Sequence, residues 1–405
     1  MKRLLIIVVC FLFFCGCSLL PKNTNEPKPQ QNDFLVGVWI SLYEMKSVGL
    51  NESEFTKKFD SMFQNIKNLG ANTVFCHIRP KSDAYYRSEL FPFSDGLTGT
   101  QGGDPGFDPM TILTDLAKEH NLYFHAWLNP YRIASGIESV SELSEKNPAR
   151  IWLEDENEQN DGNVKTVTVN DTKVFYYNPA SIEVQKLVLD GVREILNNYE
   201  VDGIHIDDYF YPTTDKEFDK TEYERYKKST KTPLSLEDWR RTNVDALVSS
   251  MYNICRSYGK VFGVSPSAHI SEDGTDENYQ KQYANITKWM SNEGYIDYIA
   301  PQLYFGYEYP DVNYKFTNLL NKWTKLERLD SVKLYIGLAN YKIGEEDAGS
   351  DEWQKQTDII ARQIEQSRLL GTDGVIFYSY SALFSEQELN TAQRIKAQEI
   401  LSESS

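Results

Sequence analysis

Eight short strand-like segments alternate with eight amphipathic helical segments between residues 35 and 401, and few architectures accommodate that order. The strand candidates are 35–41, 72–79, 123–129, 201–207, 261–267, 296–304, 333–339 and 374–380. The helix candidates are 53–69, 109–120, 182–199, 236–258, 279–292, 314–326, 353–370 and 385–401. Strands separated by helices pair in parallel, because each crossover returns the chain to the same end of the sheet. Eight such units are the count of an α/β fold of the (β/α)8 TIM-barrel type. A doubly wound open sheet is the rival, but its Gly-rich phosphate turn is missing. Ser235 before Leu236-Glu-Asp, and Ser385 before Glu-Gln-Glu, read as helix starts. Long loops follow strands two and three. The first, 87–108, carries glycines at 96, 99, 102, 103 and 106; the second runs over 131–178. In a barrel both rise from the catalytic face as substrate walls. Within the second, 164–169 and 172–177 alternate as strands across Asn170-Asp171, a hairpin signal.

The fourth strand leads into Val201-Asp-Gly-Ile-His-Ile-Asp-Asp-Tyr-Phe-Tyr-Pro212. Alternation puts Gly203, His205 and Asp207 on one face and Ile204, Ile206 and Asp208 on the other. The isoleucines suit a face covered by helices, so His205 and Asp207 point inward. An Asp-Asp pair is ordinarily a helix cap or a solvated turn. Here aromatics flank it, and the other strand ends carry polar and aromatic residues as well. Strand two ends at His77-Ile-Arg79, with Asp83 beyond; strand three ends His125-Ala-Trp-Leu-Asn-Pro-Tyr-Arg132; strand six ends Pro301-Gln-Leu-Tyr-Phe-Gly-Tyr-Glu308. Such clustering at C-terminal strand ends is where a barrel keeps its chemistry.

That lining suits carbohydrate: rings stack on sugar C–H faces while amides, guanidinium and imidazole groups bind hydroxyls. Trp39, Trp127, Tyr209, Tyr211 and Tyr304 are the platform candidates, each with core packing as the alternative. Asn129 and Gln302 are assigned to sugar hydroxyls. Arg79 and Arg132 bind a substrate carboxylate or hold site aspartates. Glycoside hydrolysis needs two carboxyl groups; Asp207 is the first choice, with Asp208, Glu308 and Asp83 as candidates for the second. His77, His125 and His205 fall on adjacent strands but lack an HxH or HxxxH spacing. They read as a hydrogen-bonded belt orienting the carboxylates, so no metal and no cofactor is expected. Neither Ser265 nor Ser267 sits in a GxSxG elbow.

The N-terminus sets the compartment. Lys2 and Arg3 precede an apolar run from Leu4 to Phe14, too short for a lasting membrane anchor, closed by Gly16-Cys17. This resembles the lipobox of a bacterial lipoprotein signal peptide, with Phe14 and Cys15 where Leu and a small residue are usual. The expected organisation is a signal peptide over 1–17, a polar, proline-bearing tether over 18–33 and a barrel over 34–402. Cys17 would carry the lipid, and the protein would sit outside the cytoplasm on the membrane; plain secretion is the alternative. Removing Lys2 and Arg3 makes the formal charge of −17 two units more negative. So acidic a body repels phosphate backbones, which excludes nucleic acid as a partner. Cys76 and Cys255 read as small core residues.

The chain resembles the glycosyl hydrolase-like family 10 over about 34–382. The motifs that carry the resemblance are Gly37-Val-Trp39, Arg79-Pro-Lys-Ser-Asp-Ala-Tyr85, Leu97-Thr-Gly-Thr-Gln-Gly102, His125-Ala-Trp-Leu-Asn-Pro-Tyr131, the 202–212 stretch and Pro301-Gln-Leu-Tyr304. Phe305 stands where a tryptophan often follows that last motif. The resemblance implies a (β/α)8 barrel acting on glycans, with peptidoglycan strands freed of peptide among the substrates. A noncatalytic glycan-binding lipoprotein and a metal-dependent polysaccharide deacetylase are the rival readings.

Overall fold

A computed structural model describes residues 34–208, 210–271 and 275–403. The leader with Cys17, the tether and Tyr209 lie outside the described residues. Eight parallel strands form a closed barrel: β1 (Leu35–Ile40), β2 (Thr73–Arg79), β3 (Tyr123–Leu128), β4 (Gly203–Ile206), β5 (Val261–Val264), β6 (Tyr298–Ile299), β7 (Lys333–Ala339) and β8 (Gly374–Tyr378). Each pairs with its successor, and β8 closes on β1 from Leu35–Gly374 to Trp39–Tyr378. The ladder of β6 is shorter than the 296–304 segment because the chain then pairs through single bridges, Gln302 with Ser267 and with Gly337.

Strand alternation sorts side chains into two cores. Val36, Val38, Ile40, Val74, Cys76, Ile78, Ile204, Ile206, Ile336 and Leu338 face the helices. Leu35, Trp39, Phe75, Trp127, Tyr298, Tyr335 and Ile376 fill the lumen. So many large rings fit because inward glycines yield them space. A Cβ on Gly263 would lie 2.1 Å from the Tyr298 ring, and one on Gly37 would lie 2.6 Å from Phe75. Helix Glu52–Asn68 shows the outer layer's logic: Asn51 and Glu54 form a capping box, and Phe55, Phe59, Met62, Phe63 and Ile66 recur at helical spacing on the buried face.

Two expected helices are broken. Residues 279–292 divide into Glu277–Gln280 and Ile286–Ser291, because Tyr283 adopts φ 57° and Asn285 caps a new helix. Residues 353–370 divide into Glu352–Lys355 and Ile359–Leu369, with Gln356 extended between them. The last helix starts later than expected, at Glu388, so Ser385 is not its cap. Ser235 does cap Leu236–Ser257, accepting from Asp238 N–H.

The long connection after β3 holds a three-stranded antiparallel sheet of Arg132–Ser135, Val164–Val169 and Thr172–Tyr177. Asn170 and Asp171 turn its hairpin at φ 47° and 59°, both left-handed as a type I′ turn requires. This excursion is stapled to the loop after β2. Gln101 Oε1 accepts from Ser144 N–H at 3.0 Å and from Asn147 Nδ2 at 3.1 Å, while its Nε2 donates to Asp83 at 3.2 Å.

Candidate active site

Asp207 follows the last residue of β4 and keeps the strand's inward parity, 4% exposed at the C-terminal mouth. Trp127, inward on β3, donates its indole N–H to Oδ2 at 3.1 Å. Asn129 Nδ2 donates to Oδ1 at 3.2 Å and Oδ2 at 3.4 Å. The Asn129 amide cannot flip, because its Oδ1 accepts from the N–H groups of Tyr131 (3.2 Å) and Arg132 (2.8 Å). A sharp turn after β3 therefore aims two donors at one carboxylate, giving charge-assisted hydrogen bonds in a nearly dry site.

Asp208 is the next residue, half-buried just beyond the end of β4. The nearby Gln302, Arg132 and Gln282 side chains favour its charged form, yet burial outweighs them and pushes its carboxyl above the usual range. Gln302 is itself fixed, donating Nε2 to Ser265 O at 3.0 Å. Two neighbouring acids thus occupy unlike surroundings.

Below them lies the histidine belt. Trp39 Nε1 donates to His205 Nε2 at 3.1 Å, so the His205 proton sits on Nδ1, 3.0 Å from Tyr298 Oη. Tyr298 then donates to His125 Nδ1 at 2.9 Å. Burial holds His125 down to about 3 and His205 well below the usual imidazole range, so the chain stays neutral. His77 is also held low by burial, with Arg132 adding to it, and stacks on Trp127 at 3.7 Å and 6°. Among the described residues no three His, Cys, Asp or Glu side chains converge as a metal site would need. At the rim, Tyr304 stacks on Tyr378 (5.6 Å, 26°), and Tyr341, 45% exposed, meets both edge-on. Tyr304 is close enough to feel the charges of Asp207 and Asp208.

The Glycosyl hydrolase-like 10 family model matches residues 35–355. The chain belongs to this family. It is 34% identical over 314 residues to glycosyl hydrolase YngK of Bacillus subtilis strain 168, covering 73% of this chain and 58% of YngK, less than two thirds of that relative. It is 28% identical to glycosyl hydrolase DigH of Escherichia coli K12, covering 98% of this chain and 95% of DigH. The PgaB glycoside hydrolase domain of Bordetella bronchiseptica shares the fold, with TM-score 0.55, 12% identity and coverage of 89% and 97%.

Within this family member, the mouth gathers Asp207, Asp208, Trp127, Asn129, Arg132, Gln302 and Tyr304. Other expected residues lie elsewhere, each for a physical reason. Glu308 is exposed on the rim, accepting from Gln356 Nε2 at 3.2 Å beside Glu352, which anchors the backbone of Tyr307 and Glu308. Asp83 is fully buried under the stapled loops, where burial raises its carboxyl to about 6. A register shift after His77 turns Arg79 away from the lumen, 1% exposed with its guanidinium 4.7 Å from the Phe91 ring centre. Trp39 and Tyr211 are core rings, and Trp127 is buried by the His77 stack, so none of the three is an open sugar platform. Asn129 spends both ends of its amide internally rather than on sugar. His125 and His205 are sealed below the mouth and do not reach the carboxylates, which Trp127 and Asn129 orient instead. Tyr209 lies outside the described residues. Gln282, Tyr341 and Tyr378 enter the site unforeseen. For Gln282 the available signal was Asn285, a cap residue before the apolar Ile286 turn.

Proposed function

We propose that this protein is an exported glycoside hydrolase, anchored by lipid at Cys17, that cuts a cell-wall glycan such as peptide-free peptidoglycan. The observation that carries the reading is the unequal carboxyl pair: Asp207 gripped by two N–H donors, and Asp208 with its proton affinity raised by burial. In the proposed reaction Asp208 protonates the departing glycosidic oxygen, and the Asp207 carboxylate either attacks the sugar or activates water. Tyr304 and Tyr378 supply ring faces beside the pair, and exposed Tyr341 extends them along a chain. The names of YngK and DigH as glycosyl hydrolases support this reading. The lipid anchor rests on Lys2-Arg3, the apolar run and Gly16-Cys17.

The test is mass spectrometry of products from purified protein in ¹⁸O-labelled water, using peptide-stripped wall glycans beside other polysaccharides. Shortened chains carrying one heavy oxygen at a new reducing end support the proposal. Acetate release abolished by EDTA would install a deacetylase instead, and binding without any product would leave a lectin-like protein.

A further inference from the structure

Where β8 closes on β1, a buried carboxylate continues the seam past the end of the strand ladder. The last register pair is Trp39 with Tyr378. Two residues beyond Trp39, Ser41 caps the short helix Leu42–Met45, and Glu44 completes its capping box. Glu44 is 8% exposed. Its Oε2 accepts from Ser41 N–H at 2.9 Å and from the Ser41 hydroxyl. Its Oε1 reaches across the seam and accepts from Ser379 Oγ at 2.5 Å, Ser381 Oγ at 2.6 Å and Ser381 N–H at 3.0 Å. Ser379 is the cap residue of helix Tyr380–Leu383, yet its side chain caps no N–H of that helix. It gives its hydroxyl to Glu44, which serves the Ser381 N–H in its place.

A capping box needs only one glutamate oxygen; the other is spent here on a second strand end. Burial pushes the Glu44 carboxyl up, but the hydroxyls of Ser379, Ser381 and Ser41 outweigh it and hold it below the usual range, so the group is a carboxylate. A buried polar network whose members are all satisfied rigidifies what it joins. At this seam it bears on the residue just before Ser379. Tyr378 ends β8, stacks on Tyr304 at 5.6 Å and meets Trp39 edge-on at 6.1 Å. The strand ladder fixes the backbone up to Tyr378, and Glu44 fixes the two serines that follow. We propose that Glu44 is a positioning residue: by clamping Ser379 and Ser381 it keeps the Tyr378 ring in its stack with Tyr304. This rests on the reading of Tyr304 and Tyr378 as ring faces for a glycan.

The test compares Glu44→Gln, Lys58→Met and the pair Ser379→Ala with Ser381→Ala, each in the whole protein. Glutamine has glutamate's shape, but each Glu44 oxygen accepts a main-chain N–H, so either turn of the amide sets its NH2 against a donor. Glu44→Gln should raise KM on a long glycan about 3- to 10-fold, the order of one ring contact, with kcat within about twofold. The serine pair keeps both main-chain bonds and should raise KM less, in the same direction; it carries the test if Glu44→Gln does not fold. Lys58 Nζ donates to Glu44 O, Lys46 O and Ser47 Oγ at the other end of the same short helix. Lys58→Met should therefore melt lower and keep the wild-type KM. A folded Glu44→Gln protein with the wild-type KM would overturn the proposal, as would a KM that rises equally in Lys58→Met. Fluorotyrosine at position 378 reads the ring without substrate. Its ¹⁹F resonance, displaced by the Tyr304 face, should move toward that of the free amino acid in Glu44→Gln and the serine pair, and stay in place in Lys58→Met. A resonance unmoved in Glu44→Gln overturns the positioning whatever the kinetics. If wild type binds and cuts no glycan but the resonance moves, the positioning stands and the glycan reading falls.

Discussion

Trp127→Phe isolates the grip on Asp207. The indole does two things: its N–H donates to Oδ2 at 3.1 Å, and its face covers His77 at 3.7 Å. Phenylalanine keeps a ring against His77 and deletes the donor. A hydrogen bond to a charged group contributes about 1.5–3 kcal/mol. Were that difference expressed fully in the transition state, kcat would fall about 10- to 150-fold. Asn129 stays in place, so the carboxylate keeps its second donor and the loss stops short of abolition. The assay is steady-state kinetics on a soluble glycan of defined length, with thermal unfolding measured in parallel. A folded Trp127→Phe protein within twofold of wild-type kcat would refute the claim that the indole N–H positions a reacting carboxylate. A drop in KM affinity alone would place Trp127 in substrate binding instead.

Three further expectations follow from the geometry. Asp83→Asn should stabilise the protein at neutral pH: burial raises this carboxyl from 3.8 to about 6, so the folded state holds a proton that the unfolded state releases between those values. Stability is then lost as pH rises through that window. Asparagine should regain up to about 3 kcal/mol above pH 7 and only about 1 kcal/mol at pH 4.5; equal gains in chemical melts at both pH values would contradict this. Glu308→Gln should keep activity within about twofold, since Glu308 is exposed and paired with Gln356; a collapse would return it to the carboxyl pair. Tyr341→Ala should raise KM about 3- to 10-fold, the order of one ring contact, with little change in kcat; an unchanged KM on long chains would remove Tyr341 from the glycan track.

The barrel was legible because period-two and period-3.6 patterning alternate eight times, and because turn chemistry is local: Asn170-Asp171 marked its hairpin and Ser235 its helix. Parity along Gly203-Ile-His-Ile-Asp207 also placed Asp207 correctly, since one buried face settles the other. What escaped was anything decided by a break in regularity. The slip after His77 swung Arg79 out of the lumen, and the left-handed Tyr283 cut a helix that the apolar periodicity ran straight through. Polarity misled in a consistent way as well. Asn129 looks like a sugar-binding amide in the sequence, and His125 and His205 like a belt orienting the carboxylates, yet their partners are Asp207, Tyr298 and Trp39. A string of residues shows that a polar group needs a partner, not whether another strand already supplies one.

The central claim is that Asp207 reacts rather than merely binds. Asp207→Asn is isosteric and can still accept the Trp127 N–H, so hydrolysis and binding should separate in it. Measured side by side on peptide-stripped wall glycan, the variant should bind within about threefold of wild type and cut about 10²- to 10⁴-fold more slowly. An Asp207→Asn protein that cleaves at the wild-type rate would contradict the account.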